Sequence, residues 1–111
     1  MKSGDYKCGR VLIERKSVSD LFHTLTRGEE RFKRELQRLQ KASVCAYVVI
    51  EGSIEAVKRG TWSSAAYGPR IVDSALGLCV SYGISIAFCN GRADAEEFSY
   101  RLLCAGFRRS S

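Results

Sequence analysis

The chain has 111 residues, 45% hydrophobic and 27% charged, with ten glycines and one proline; this mixture suits one compact globular domain and excludes low-complexity and disordered classes. No apolar run approaches the roughly 18 residues of a membrane span, and Met1-Lys2-Ser3-Gly4-Asp5 lacks the apolar stretch of a secretion signal. The formal charge of +6 is uneven, with eleven Lys/Arg against six Asp/Glu in residues 1–44 and seven against six in residues 45–111, and such an asymmetry suggests a polyanionic partner, most often nucleic acid.

In chain order, residues 6–16 read as a hairpin or bent strand pair, with Cys8-Gly9 at the turn and Val11-Leu12-Ile13 as its apolar run. At Ser17 the period changes: Ser17 and Asp20 fit a capping box, and Val18, Leu21, Phe22 and Leu25 then recur at helical spacing until Gly28. Residues 29–42 form a second predicted helix on Phe32, Leu36 and Leu39, and the continuous apolar stretch 44–50 has the pattern of a strand buried on both faces. A short helix over 53–59 and a loop over 60–68 containing Trp62 follow. Pro69 then opens a helix over 69–82, residues 84–89 form a strand, Asn90-Gly91 turns the chain, and 94–105 is the final helix. Helices between strands give an α/β domain spanning 1–111. Five cysteines (Cys8, Cys45, Cys79, Cys89, Cys104) without a C-x-x-C or a Cys/His cluster read as buried, reduced thiols of a cytosolic protein.

The chemistry concentrates in Gly4-Asp5-Tyr6 and Val11-Leu12-Ile13-Glu14-Arg15-Lys16. Side chains alternate along a strand, so Glu14 and Lys16 share one face, and Ile13 and Arg15 the other. A strand ending in Glu-Arg-Lys places three charges where Val or Ile would be more stable. If Asp5 enters the same pocket from the adjoining strand, two carboxylates and an ammonium converge. Paired carboxylates repel and are costly to desolvate without a cation; Mg²⁺ prefers such oxygen ligands and polarises a phosphodiester.

The order Asp-x8-Glu-x-Lys matches the spacing of the PD-(D/E)XK nuclease motif. The longer string, Gly4-Asp5-Tyr6 and Glu14-Arg15-Lys16 with Asp20, then Arg31-Phe32, Glu35-Leu36 and Arg38-Leu39, resembles the nuclease domain of the XPF-type structure-selective DNA endonucleases, whose signature is GD followed by ERK-x3-D. Tyr47-Val48-Val49-Ile50-Glu51-Gly52 resembles that family's second core strand, and residues 82–88 with Ala95-Glu96 its last strand and helix. The resemblance implies a restriction-endonuclease-like fold, a mixed central sheet flanked by helices. It implies Mg²⁺- or Mn²⁺-dependent cleavage of branched, flapped or forked DNA in repair or recombination, with the protein inside the cell. Asp5 and Glu14 would be metal ligands and Lys16 the catalytic lysine, with Arg15 and Asp20 completing the catalytic set. A homodimer or heterodimer through the last helices is also implied. Family members carry a strand and helix before the GD motif and a tandem helix-hairpin-helix domain; this domain is expected without either. The second functional reading is a non-catalytic DNA-binding or scaffold subunit of the same fold.

Other readings of these residues stand beside those roles. Capping alone explains Asp20, Arg15 can pair with an acid of a neighbouring helix, and Glu14 and Lys16 can be a salt-bridged pair at a strand end. Arg27, Arg31, Arg34, Arg38 and Lys41 recur at spacings of four, three, four and three, placing them on one helical stripe. That stripe either follows a phosphate backbone or is a solvated face with Glu30–Arg34 and Arg31–Glu35 pairs. His23, beside Leu21 and Phe22, reads as a partly buried helix histidine.

Overall fold

The computed structural model describes residues 5–26, 29–42, 45–60 and 67–109, with the backbone alone at Asp5. Arg27, Gly28, Val44 and Trp62 lie outside the described residues. Strands β1 (Asp5–Cys8) and β2 (Val11–Lys16) form the expected hairpin. Its turn is Gly9-Arg10, one residue later than Cys8-Gly9, because Cys8 pairs with Val11 and Gly9 supplies the positive φ of 59° that a two-residue hairpin turn needs. Helices α1 (Val18–Thr26) and α2 (Glu30–Ala42) lead to β3 (Cys45–Ile50). Helices α3 (Ile54–Arg59) and α4 (Gly68–Tyr82) lead to β4 (Ser85–Phe88), and α5 (Arg92–Arg109) follows.

The four strands form one mixed sheet in the order β1-β2-β3-β4, antiparallel between β1 and β2 and parallel across the other two pairs. Parallel crossovers are right-handed. Two successive ones that advance in the same direction therefore lay both helix pairs on one face. The larger core lies there: Leu12, Val48 and Ile50 of the sheet pack with Phe22, Phe32, Leu36, Leu39, Val57 and Ala75 of α1 to α4. On the opposite face, Val11, Ile13 and Val49 meet Ala95, Phe98 and Leu102 of α5. The alternation of β2 thus divides its residues between the two layers, and all six are buried.

Helix α5 runs past the expected end at residue 105 to Arg109. Gly106 is a poor helix former, but packing overrides the propensity. A Cβ at this position would lie 2.6 Å from Val11 Cγ2 and 3.1 Å from the Cys8 carbonyl oxygen, so glycine lets the helix cross the hairpin closely. The cysteine reading needs correction. None of the five thiols is in a disulfide, but only Cys79 and Cys89 are buried, Cys8 and Cys104 are half-buried and Cys45 is exposed. Burial pushes the Cys79 thiol up to about 12, which keeps it neutral and unreactive. Cys45 begins β3, where the strand emerges from the core, and apolar periodicity does not mark that edge. Among the described residues no helix is long and apolar enough to cross a membrane.

Candidate active site

Strand β2 is followed by the tight α1 entry, so its carboxyl end opens beside the first turns of a helix. Ser17 Oγ accepts the Asp20 backbone N–H at 3.1 Å, the N-terminal half of the expected capping box. The cap uses the Asp20 backbone and leaves its carboxylate to the neighbouring cleft. The parallel neighbour β3 ends level with β2, with Lys16 opposite Ile50. Carboxyl ends of parallel strands are where α/β folds build their sites.

On the α1/α2 face of β2, Glu14 and Lys16 are side by side as the alternation predicts. Both are buried, with residue exposures of 9% and 5%. Charges so placed must be compensated, and α2 supplies the compensation. Arg38 Nη2 donates to Glu14 Oε1 at 2.7 Å, and Lys16 Nζ lies 3.0 Å from Glu35 Oε1. The Lys16 ammonium donates to Thr24 Oγ1 of α1 at 3.3 Å. Glu35 Oε1 has no directed hydrogen bond among the described residues, so charge proximity holds this contact. Arg31 adds a looser contact to the other Glu35 oxygen at 3.8 Å. Glu14, Lys16, Asp20, His23, Thr24, Arg31 and Glu35 line one cleft of about 200 Å³.

Three of the five expected catalytic positions, Glu14, Lys16 and Asp20, therefore come together in one cleft. A fourth, Asp5, is registered directly opposite Glu14 in the β1/β2 pair; directly opposed positions share a sheet face. Arg15 is on the other side. It faces the α5 layer, donates to Glu51 Oε2 at 2.6 Å and has its guanidinium carbon 5.9 Å from the centre of the Tyr6 ring. Its partner acid follows β3 directly and is not on a helix. The structure thus places the Arg15 side chain outside the cleft lining.

Of the basic stripe, Arg31 lines the cleft and Arg38 holds Glu14, whereas Arg34 and Lys41 are exposed; Arg27 lies outside the described residues. The Arg31–Glu35 pair is present, but Glu30 pairs with Lys33 at 3.7 Å in place of Arg34. His23 is exposed at the cleft mouth and not half-buried: neighbours along a helix point about 100° apart, so apolar residues before it say little about its own burial. His23, Thr24 and Glu35 line the cleft although the sequence pattern gives them no place in it. The signal for Glu35 was its place between Arg31 and Arg38 on one stripe.

Glu14, Asp20 and Glu35 line one space, and carboxylate oxygens are the donor type a hard divalent cation prefers. Among the described residues no three His, Cys, Asp or Glu side chains already form a cage.

Among solved structures, XPF from Aeropyrum pernix aligns with a TM-score of 0.70 at 19% identity, covering 94% of this chain and 52% of that one. XPF from Aeropyrum pernix in complex with DNA aligns with a TM-score of 0.62 at 17% identity, covering 86% of this chain and 44% of that one. At these identities the likeness is one of fold, and the chain spans about half the length of the structures it matches. No curated protein matches the sequence. The family profile of the ERCC4 domain matches residues 1–102, and the expected mixed sheet flanked by helices is the fold of the XPF structures. The chain belongs to the ERCC4-domain family.

Proposed function

We propose that this protein is a Mg²⁺- or Mn²⁺-dependent endonuclease that hydrolyses phosphodiester bonds in branched, flapped or forked DNA during repair or recombination inside the cell. The observation that carries the proposal is the burial of Glu14 and Lys16 side by side in a cleft shared with Asp20 and Glu35. Removing two charges from water costs stability that an apolar pair would not, and a chemical task is a reason to keep them there. Glu14, with Asp5 opposite it in register, would hold the metal. The bound ion would polarise the phosphate and lower the pKa of a water. Lys16, steadied by Thr24 and Glu35, would place its positive charge where negative charge develops on the phosphate. Asp20 would orient water from the α1 side of the cleft.

The DNA path would run from the cleft along the α2 stripe. Arg31, Arg34, Arg38 and Lys41 share this side of the helix, and exposed cations in a row suit a phosphate backbone. Arg34→Ala with Lys41→Ala, neither of which lines the cleft, is expected to weaken DNA binding. It should also flatten the dependence of log affinity on log salt by about two units. Fluorescence anisotropy across a salt series reads this; an unchanged slope would make the stripe a solvated face. The dimer would form through α4 and α5, where Val80, Tyr100 and Phe107 are well exposed, and light scattering at high concentration would reveal a monomer if this is wrong.

Asp20→Asn separates chemistry from capping. Because Ser17 caps through the Asp20 backbone N–H, stability should change by no more than about 0.5 kcal/mol while cleavage falls. Retained cleavage would return Asp20 to the helix alone. The proposal as a whole is tested by incubating the purified chain with end-labelled flap, fork and duplex DNA, with and without Mn²⁺. Mn²⁺-dependent nicking near the branch is expected. Binding without nicking under every condition would replace the enzyme by the non-catalytic scaffold reading.

A further inference from the structure

We propose that Arg38 is the resident counter-ion of Glu14 and that a divalent cation must displace it to bind there. The inference rests on the nuclease reading above, in which Glu14 is a metal ligand. Strand and helix are paired crosswise: Glu14 with Arg38 at 2.7 Å and Lys16 with Glu35 at 3.0 Å. Glu14 and Lys16 therefore each have a partner on α2, and the two pairs are not equivalent. Lys16 is nearly closed off, with 6% side-chain exposure, and is also tied to Thr24, so its ammonium cannot move over to serve Glu14 without breaking both contacts.

Arg38 is built differently. Its partner Glu14 is buried, with 11% side-chain exposure, whereas Arg38 itself is 47% exposed. The carboxylate thus needs a cation, but the cation that serves it already borders water. Releasing a guanidinium from such a position costs little solvation, and a long side chain can swing outward without unfolding the helix. A divalent ion and a guanidinium compete for the same carboxylate oxygens and repel each other across that short distance. Binding of the ion at Glu14 is therefore an exchange and not a simple addition. Once displaced, Arg38 remains on the stripe of Arg31, Arg34 and Lys41, where a phosphate can accept it.

The exchange predicts a gain of affinity from removing a residue, which a purely structural salt bridge would not give. Mn²⁺ binding to the full chain without DNA is measured by the electron paramagnetic resonance of free Mn²⁺, for the parent, Arg38→Gln, Arg38→Lys and Glu14→Gln, with thermal melts confirming that each is folded. Arg38→Gln is expected to bind Mn²⁺ about tenfold more tightly than the parent, the worth of one charge-assisted contact. Arg38→Lys keeps the charge in a less fitted form and should tighten binding by a smaller factor; it decides the matter if Arg38→Gln does not fold. Glu14→Gln should lose the site. Equal or weaker binding by the Arg38 variants, with the site still lost in Glu14→Gln, would overturn the exchange and leave the nuclease reading intact. Absence of Mn²⁺ binding in both the parent and the Arg38 variants would overturn the two together.

Discussion

Lys16→Ala is expected to reduce single-turnover, Mn²⁺-dependent cleavage of fork DNA by about 10²- to 10³-fold, the loss typical of one preorganised electrostatic group. Mn²⁺ binding should survive, because in the proposed site the ammonium would serve the phosphate and not the metal ligands. The same change removes the nearest cation from Glu35, which among the described residues keeps Arg31 at 3.8 Å. Stability should therefore fall by about 1–3 kcal/mol, the usual cost of leaving a partly buried polar group unpaired. The two effects are separable. Lys16→Ala with Glu35→Gln removes the stranded charge and should recover stability without recovering cleavage. Urea melts and single-turnover rates on the same preparations read both quantities, and a double variant that regains activity would show that Lys16 is structural.

The second large effect concerns Arg15 and Glu51. Their ion pair is 2.6 Å long, and both side chains are largely buried, with exposures of 9% and 13%. Glu51→Ala would strand the guanidinium between the sheet and α5, where Arg15 Nε already lacks a hydrogen-bond partner among the described residues. The expected loss is about 3–5 kcal/mol, a large fraction of the stability of a small domain. Apolar replacement of the whole pair, Arg15→Met with Glu51→Leu, should restore most of that loss, because it leaves no buried charge behind. Equilibrium urea unfolding with an unchanged slope tests both steps. A Glu51→Ala protein as stable as its parent would mean that the pair contributes nothing to the fold.

These contrasts show which features were legible in the sequence. The alternation of Ile13, Glu14, Arg15 and Lys16 is a property of any strand, and it correctly divides the four between the two faces of the sheet. Ser17 was readable as a cap because capping is local, and the order of strands and helices follows from periods of two and 3.6. Docking was not readable. Helical spacing places Arg31, Arg34, Arg38 and Lys41 on one stripe, but not where that stripe meets the sheet, so the Arg38–Glu14 and Glu35–Lys16 pairs needed the packed structure. The partner of Arg15 was hidden for the same reason. Glu51 is 36 residues away in the chain, and only the parallel pairing of β2 with β3 brings it near. The end of α5 was misplaced because Gly106 has the local signature of a stop. Its close fit against Val11 is a long-range fact.

The claim that the carboxyl end of β2 is a metal-dependent nuclease site is tested most directly by Glu14→Gln, assayed against the parent on one labelled fork substrate in Mn²⁺. The substitution is nearly isosteric, and the glutamine side-chain oxygen can still accept from Arg38, so the fold should hold. The account predicts that the parent nicks the fork, that Glu14→Gln does not, and that the variant binds the same DNA as tightly or more so, because one negative charge has been removed from the path of a phosphate. Cleavage by Glu14→Gln at the parental rate would contradict the account.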